Sequence, residues 1–198
     1  MKSRADIKAV AKQRLSNEYW PLVGTFFIVS LLTVAIGASI FFVGPLYAGM
    51  AAYSAKKYRG ENEPFKLEIT GRQIGGGAWQ TLFTLLWSML FVIPGIIKGY
   101  SYALNFYILG MYKNVKAKSA LKLSMRIMKG HKWELFVFQL SYIGWFLLTL
   151  ITFGLVEIFY VSPYYEIAVN GYYDELVKNA LATGVVSQDE LDGKVDVA

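Results

Sequence analysis

The stretch from 113 to 176 decides the fold: it reads KNVKAKSALKLSMRIMKGHKW (113–133), ELFVFQLSYIGWFLLTLITFGLVEIFYV (134–161) and SPYYEIAVNGYYDEL (162–176). A basic amphipathic segment leads into a long apolar run, and Pro163 breaks the far end of that run. About 20 apolar residues in a helix span the hydrocarbon core of a bilayer, so the run is long enough to cross one. The pattern predicts an integral membrane protein.

The composition of the whole chain agrees with this prediction. Of the 198 residues, 55% are hydrophobic and 17% are charged, whereas a soluble domain has about 25% charged residues. Aromatic residues make up 16% of the chain, as expected of a protein that lines two membrane–water interfaces. The chain has no cysteine, which excludes disulfides and thiolate metal sites.

Charge is distributed unevenly along the chain. Residues 1–170 carry 18 Lys and Arg against 8 Asp and Glu, and residues 171–198 carry 2 against 6. The basic excess lies beside the apolar runs, which fits the positive-inside rule and contact with anionic phospholipids. No soluble basic module remains for binding nucleic acid, so we expect no nucleic-acid partner.

Residues 1–19 are predicted to form an amphipathic N-terminal helix. Ser3 and Asp6 have the spacing of a capping box, and Ile7, Ala11 and Leu15 fall on one face. We expect this helix to lie on the cytoplasmic membrane surface. The alternative is an ordinary solvated helix.

Six membrane-embedded helices, arranged as three hairpins, explain the basic clusters best. Four clear spans are 22–43, 79–97, 134–153 and 155–170. With these alone, the KKYR cluster at 56–59 would lie outside the cell, against the positive-inside rule. If the less apolar segments 44–58 and 98–112 return through the membrane, every basic cluster and the polar loop 60–78 become cytoplasmic. Such short, glycine-bearing segments need cover from other helices, so they would be the inner elements.

The segment 113–132 is predicted to be a basic amphipathic helix over 115–129, with Asn114 as N-cap and Gly130 as the stop. Its twenty residues include seven Lys and Arg and no acid. Four of its basic residues make one charged stripe and are our candidate contacts for anionic phospholipid: Lys118, Lys122, Arg126 and Lys129.

Polar side chains at membrane depth are the candidate functional residues: Lys98, Asn105, Glu157 and Glu166. A charge at the bilayer centre is costly, so such residues face the protein interior and pair with one another. Lys98 could pair with Glu157 or Glu166, or its side chain could extend into the headgroup region.

No motif supports catalysis, a metal or a cofactor. His131 is the only histidine and has no carboxylate cluster or cysteine near it in sequence. The triple glycine 75–77 lacks the Lys-Ser/Thr of a phosphate loop and is interpreted as a hinge. We therefore expect a protein that is not an enzyme and has no cofactor, no catalytic residues and no metal ligands.

Three strings carry a family resemblance: IPGIIK (93–98), MKGHKW (128–133) and SYIGW (141–145). Together with the lead IKAVAKQRLSNEYWP (7–21), they resemble a bacterial integral membrane family known only as domain of unknown function 975. The likeness covers roughly residues 5–176. It implies a polytopic inner-membrane protein and no particular activity.

We therefore expect an all-α, polytopic helical membrane protein with about six membrane-embedded helices and amphipathic surface helices. Residues 1–178 would form a single integral membrane domain, and 179–198 a flexible acidic tail. The expected location is the bacterial cytoplasmic (inner) membrane, multi-pass, with both termini cytoplasmic.

Two functions are open at this point. The first is a non-enzymatic interaction, accessory or immunity-type protein, whose partners are the lipid bilayer, anionic phospholipids and a membrane protein or peptide. The second is a small transporter or lipid-handling conduit with a polar intramembrane cavity.

Overall fold

All regular secondary structure is helical in the computed structural model, which describes residues 2–35, 40–61, 63–90, 92–152 and 154–195. The helices are α1 Arg4–Asn17, α2 Tyr19–Ala35, α3 Ile40–Arg59, α4 Gly71–Leu90, α5 Val92–Ser101, α6 Asn105–Met111, α7 Ala117–Ile127, α8 Lys132–Leu140, α9 Ile143–Ile151, α10 Ser162–Ala182 and α11 Gln188–Leu191, with a π-helical turn at Glu157–Val161. The all-α prediction is confirmed. Parts of the predicted first run (36–39), third run (153) and tail (196–198) lie outside the described residues.

Helix α3 is the centre of the packing because its surface is made of small residues. It packs against α4, α6 and α10, and a glycine on each partner allows the close approach. A Cβ on Gly77 would lie 2.5 Å from the Cα of Gly44, one on Gly110 would lie 2.1 Å from a backbone oxygen, and one on Gly171 would lie 2.5 Å from the ring of Tyr58. Small residues at helix crossings let backbones touch in this way.

The prediction that 44–58 and 98–112 are inner elements is confirmed by the burial of their side chains. Ala48, Ala55 and Tyr58 of α3 are buried, as are Ile108 and Leu109 of α6. The second segment is not one helix, because α5 ends at Ser101 and α6 begins at Asn105.

Helix α1 forms as predicted, but its apolar face has a different partner. Ser3 Oγ accepts from the Asp6 amide at 3.2 Å, and the Ser3 amide donates to the Asp6 carboxylate at 3.2 Å. Ile7 and Ala11 are buried, and α1 packs against α10. The apolar face of this helix is therefore covered by α10, and its place on the cytoplasmic membrane surface remains a prediction.

The predicted polar loop 60–78 is a loop only up to Thr70, since α4 begins at Gly71. The triple glycine is therefore helical and does not act as a hinge at the start of the run. Its low helix propensity is offset by the contact of Gly77 with Gly44, which a larger residue could not make.

The basic helix α7 is shorter than predicted. Its N-cap is Lys116 instead of Asn114, and the stop at Gly130 is confirmed by a φ of +93°, which favours glycine. After it, Lys132–Ile151 is the one helical stretch among the described residues that is long and apolar enough to cross a membrane. The six membrane-embedded helices remain a prediction.

The predicted flexible tail 179–198 is wrong over its described part. Helix α10 continues to Ala182, and α11 follows with a capping box between Ser187 and Glu190. Val186 and Leu191 are buried. These two apolar side chains pack the segment against the rest of the protein.

Candidate functional site

A polar stripe on α10, which runs from a half-buried acid to an exposed lysine, is the most distinctive site of the protein. Glu166, Asn170, Asp174 and Lys178 are spaced by four residues, which places them on one face of a helix. Helix α10 packs closely on α3. Only Glu166 of these four was among the candidates chosen from the sequence, although the spacing of four was a signal that could have found the others.

Asp174 is the centre of a buried ion network at one end of this stripe. It is 1% exposed, and its Oδ1 accepts from Arg59 Nε at 2.9 Å and from the Tyr107 hydroxyl at 2.7 Å. Lys178 Nζ lies 2.7 Å from its Oδ2. Burial would raise the pKa of Asp174, but the hydrogen bonds from Arg59, Lys178 and Tyr107 outweigh it and hold the pKa below its ordinary value.

Glu166 borders a cavity of about 160 Å³ at the other end of the stripe. The Asn170 side-chain amide donates to Glu166 Oε2 at 3.0 Å and to the Glu166 backbone oxygen at 2.9 Å. Five aromatic rings share the lining of this cavity: Tyr47, Phe106, Tyr107, Tyr165 and Tyr173. We call it the Glu166 cavity.

The structure does not bring the four predicted intramembrane polar residues together. Glu157 accepts from the Thr149 hydroxyl at 3.0 Å, and Glu166 is held by Asn170, so neither carboxylate pairs with Lys98. Asn105 is fully buried and donates to Gln80 Oε1 at 2.7 Å, which ties α6 to α4. The proposed pairing of Lys98 with Glu157 or Glu166 is wrong.

The basic stripe of α7 is only partly free for lipid. Lys118 and Lys129 are exposed. Lys122 is half-buried and engaged in a contact. Arg126 donates to Glu190 of α11 at 2.6 Å, so the acidic C-terminal segment already neutralises one of the four predicted contacts.

The basic cluster at 56–59 is also paired within the protein. Lys56 contacts Glu63, Lys57 contacts Glu18 and Arg59 contacts Asp174. The last two pairs bring the C-terminal ends of α1 and α3 and the middle of α10 together. We call this part of the molecule the polar end.

The exposed apolar side chains lie on neighbouring helices and together form one continuous surface. The exposed large hydrophobic side chains of this surface are Trp20, Phe27, Ile28, Leu31, Trp79, Leu82, Phe83, Leu86, Ile96, Ile97, Trp133, Phe136, Leu140, Ile143, Phe146, Leu147, Leu148, Leu150, Ile151, Leu155, Ile158 and Phe159. The elements that carry them are neighbours: α4 packs on α5, α5 on α8, and the π-helical turn on both α9 and α2. We call this surface the apolar belt.

Within the described ranges, no group of three or more His, Asp or Glu side chains is arranged to hold a metal ion. The chemistry of the polar side chains is that of ion pairing and hydrogen bonding. The distinctive features of the site are one aromatic cavity and one ion network around the buried Asp174.

Comparison with known proteins identifies the class and the family. The fold is an all-helical bundle with one stretch that qualifies as a membrane span. A family model described as "Protein of unknown function (DUF975)" matches residues 67–180, which is more than half of the chain, so the chain belongs to this family. No curated protein and no solved structure matches it.

Proposed function

We propose that this protein is a non-enzymatic membrane interaction protein, of the accessory or immunity type, whose apolar belt is embedded in lipid. The observation that carries the proposal is the belt itself. In α9, none of the nine residues is buried, and Leu150 and Ile151 are 78% and 73% exposed. The largest apolar patch on a typical soluble monomer covers only about 300–600 Å², and larger ones mark a protein or membrane contact.

Three tryptophans of the apolar belt indicate that the belt contacts lipid and not a protein partner. Trp20, Trp79 and Trp133 each stand at the start of an apolar stretch, and all three are exposed. Tryptophan favours the level of the lipid headgroups, where its ring is half in hydrocarbon and its N–H reaches water.

The proposed orientation places the polar end in the cytoplasm of a bacterial cell, with six membrane-embedded elements and both termini inside. The C-terminal end of α3 meets the middle of α10 there through Arg59 and Asp174. The basic helix α7 joins the C-terminal segment through Arg126 and Glu190. A shared side for the basic clusters is what the positive-inside rule requires.

Exposed lysines of α7 would contact anionic phospholipid or an acidic peptide. Lys129 and His131 border a second cavity, of about 200 Å³, between α7 and α10. Each Lys or Arg near an anionic surface contributes about 1 kcal/mol. The alternative conduit would require Lys98, Glu157 and Glu166 to converge on one cavity, and their separate contacts support the interaction protein instead.

A matched pair of variants tests the embedding. Leu150→Asp places a charge in the belt, where an aspartate costs about 2.5–3.5 kcal/mol in lipid, so the membrane-inserted fraction should fall sharply. Val185→Asp makes the same type of change at a 43% exposed position outside the belt and should leave insertion unchanged. The measurement is the fraction resistant to alkaline extraction of membranes. Wild-type protein in the extractable fraction, or equal effects of the two variants, would overturn the proposal.

A further inference from the structure

The Glu166 cavity combines aromatic walls with one acid. Tyr47 stacks on Phe106 with ring centroids 5.4 Å apart, and Tyr107 meets Tyr173 edge to face at 6.2 Å. The hydroxyls of Tyr107 and Tyr165 are already bonded to Asp174 and Gln139. Glu166 therefore brings the only carboxylate among the residues that line this cavity.

The carboxylate of Glu166 has no cationic partner among the described lysines and arginines. Asn170 holds one of its oxygens, and a neutral amide offsets only part of the cost of removing a charge from water. Glu166 is half-buried, and a carboxylate partly removed from water is unfavourable unless it is paired. Asp174 and Glu175, which lie further along α10, have basic partners, so Glu166 differs from them.

We propose that the Glu166 cavity binds an alkylammonium group, with Glu166 as its counter-ion and the aromatic rings around its methyl or methylene groups. Aromatic rings attract cations through their quadrupole, and quaternary ammonium groups are recognised in this way. The volume suits a small headgroup, since drug-sized ligands occupy pockets of about 300–1,000 Å³.

Two sources offer this chemistry: the headgroup of a choline or ethanolamine lipid, and a free amine in solution. Tyr47, which lines the cavity, is 44% exposed, so the cavity borders the surface of the protein. The inference goes beyond the proposed function, because it holds whether or not α10 lies at membrane depth.

The test is titration calorimetry on the full chain in a nonionic detergent. The probes are choline, ethanolamine and tetramethylammonium, and the control ligand is 3,3-dimethylbutan-1-ol, which has the shape of choline without its charge. A parallel arm uses nanodiscs of choline lipid or of glycerol lipid and follows Tyr and Trp fluorescence. We expect the cations to bind at least about tenfold more tightly than the alcohol, a difference worth about 1.4 kcal/mol.

Variants separate the cavity from the fold. Glu166→Gln keeps the size of the side chain and removes its charge, and should lower choline affinity by about tenfold. Glu157→Gln is the control: this carboxylate lies outside the Glu166 cavity and accepts from Thr149. It should leave choline affinity unchanged. Tyr47→Leu should weaken choline more than the alcohol, because it removes a ring.

Thermal unfolding of the same variants without ligand checks that the fold is retained. Glu166→Gln should melt no lower than wild type, because it removes an unpaired charge. Binding of free choline or a response to choline lipid alone would each support the proposal and identify the source. Absence of cation binding to the wild type, equal affinity for the alcohol, or equal loss in Glu166→Gln and Glu157→Gln would overturn it.

Discussion

Helix α10 and the stretch Lys132–Ile151 are nearly equal in length, 21 and 20 residues, but they occupy opposite environments. Two thirds of α10 is buried, including Asn170, Asp174 and Glu175. Lys132–Ile151 is the more apolar of the two and is mostly exposed. In a water-soluble bundle the arrangement would be the reverse, with the apolar helix inside.

The difference shows that hydropathy and burial report different things in this protein. Hydropathy marks the helices whose surroundings must be apolar, and lipid satisfies that need as well as a protein core does. Polar side chains are buried in α10 because they have partners there that lipid cannot supply. Four predictions test this comparison.

The largest effect is expected in the ion network of α10. Asp174→Asn removes the charge that Arg59 and Lys178 share, and breaking a fully buried pair costs about 3–5 kcal/mol. Arg59 is 30% exposed, so we expect a loss of about 2–3 kcal/mol in the free energy of unfolding. Glu175→Gln, whose lysine partners are about half exposed, should cost about 0–1 kcal/mol.

Denaturant unfolding in detergent, followed by Tyr and Trp fluorescence, measures both variants. Equal, small losses would show that Asp174 is not a structural centre, and the contrast between α10 and the apolar stretch would then rest on packing alone.

Acid should act on the same network and spare the apolar stretch. Because the folded-state pKa of Asp174 is lowered, its contribution to stability is complete above its ordinary pKa of about 3.9. That contribution is lost as the pH falls through the lowered folded-state value. Residues 135–151 contain no acidic or basic side chain, so membrane association should persist while the polar end loosens.

Amide hydrogen exchange at decreasing pH can follow α3, α10 and residues 135–151 separately. In Asp174→Asn this component of the pH dependence should disappear. Simultaneous loss of protection in both regions of the wild type would contradict the prediction.

Helix α4 packs on α3 and also carries residues of the apolar belt. Substitutions of its glycines test the packed part. Gly77 meets the Cα of Gly44, so Gly77→Ala must push α3 and α4 apart at a cost of about 1–3 kcal/mol. Gly75→Ala, two residues earlier, meets its nearest atom at 3.9 Å and should be neutral or stabilising by up to about 1 kcal/mol. Melting temperatures in detergent decide this, and equal values for the two variants would remove the close helix crossing.

The smallest effect is expected where α11 covers α7. Glu190→Gln removes the pair with Arg126, and partly exposed pairs are worth about 0–1 kcal/mol. Limited proteolysis after residue 182 should become slightly faster in this variant, and added salt should speed the wild type in the same way by screening the pair. A variant that resists proteolysis as well as wild type at all salt concentrations would show that Val186 and Leu191 hold the segment alone.

Local features of the fold could be predicted from sequence because they depend on neighbouring residues. The capping box at Ser3 and Asp6, the stop at Gly130 and the inner position of α3 all follow from spacing or side-chain size. The start of α4 could not, because Gly75 to Gly77 lie against α3, α6 and α7, which only the tertiary structure brings together.

The site was predicted less completely because its partners are distant in sequence. Glu166 was selected for its charge within an apolar region, but its cavity is formed by α3, α6 and α10 together. Arg59 was assigned to the cytoplasmic cluster with no partner, and its pairing with Asp174 depends on how α3 and α10 pack. Counting charges shows which charged residues need a partner of opposite charge. Only the tertiary structure shows which residue that partner is.

The pairing of Arg59 with Asp174 also has a consequence for the order of events during synthesis. The two residues are 115 positions apart, so at about 5–20 residues per second Arg59 leaves the ribosome about 6–23 s before its partner. During that interval Arg59 lacks this partner, whereas the partners of Lys56 and Lys57, Glu63 and Glu18, lie close to the cluster or before it in the sequence. Under the proposed membrane orientation, the charge of Arg59 is therefore available to direct the first hairpin, and α10 neutralises it only later.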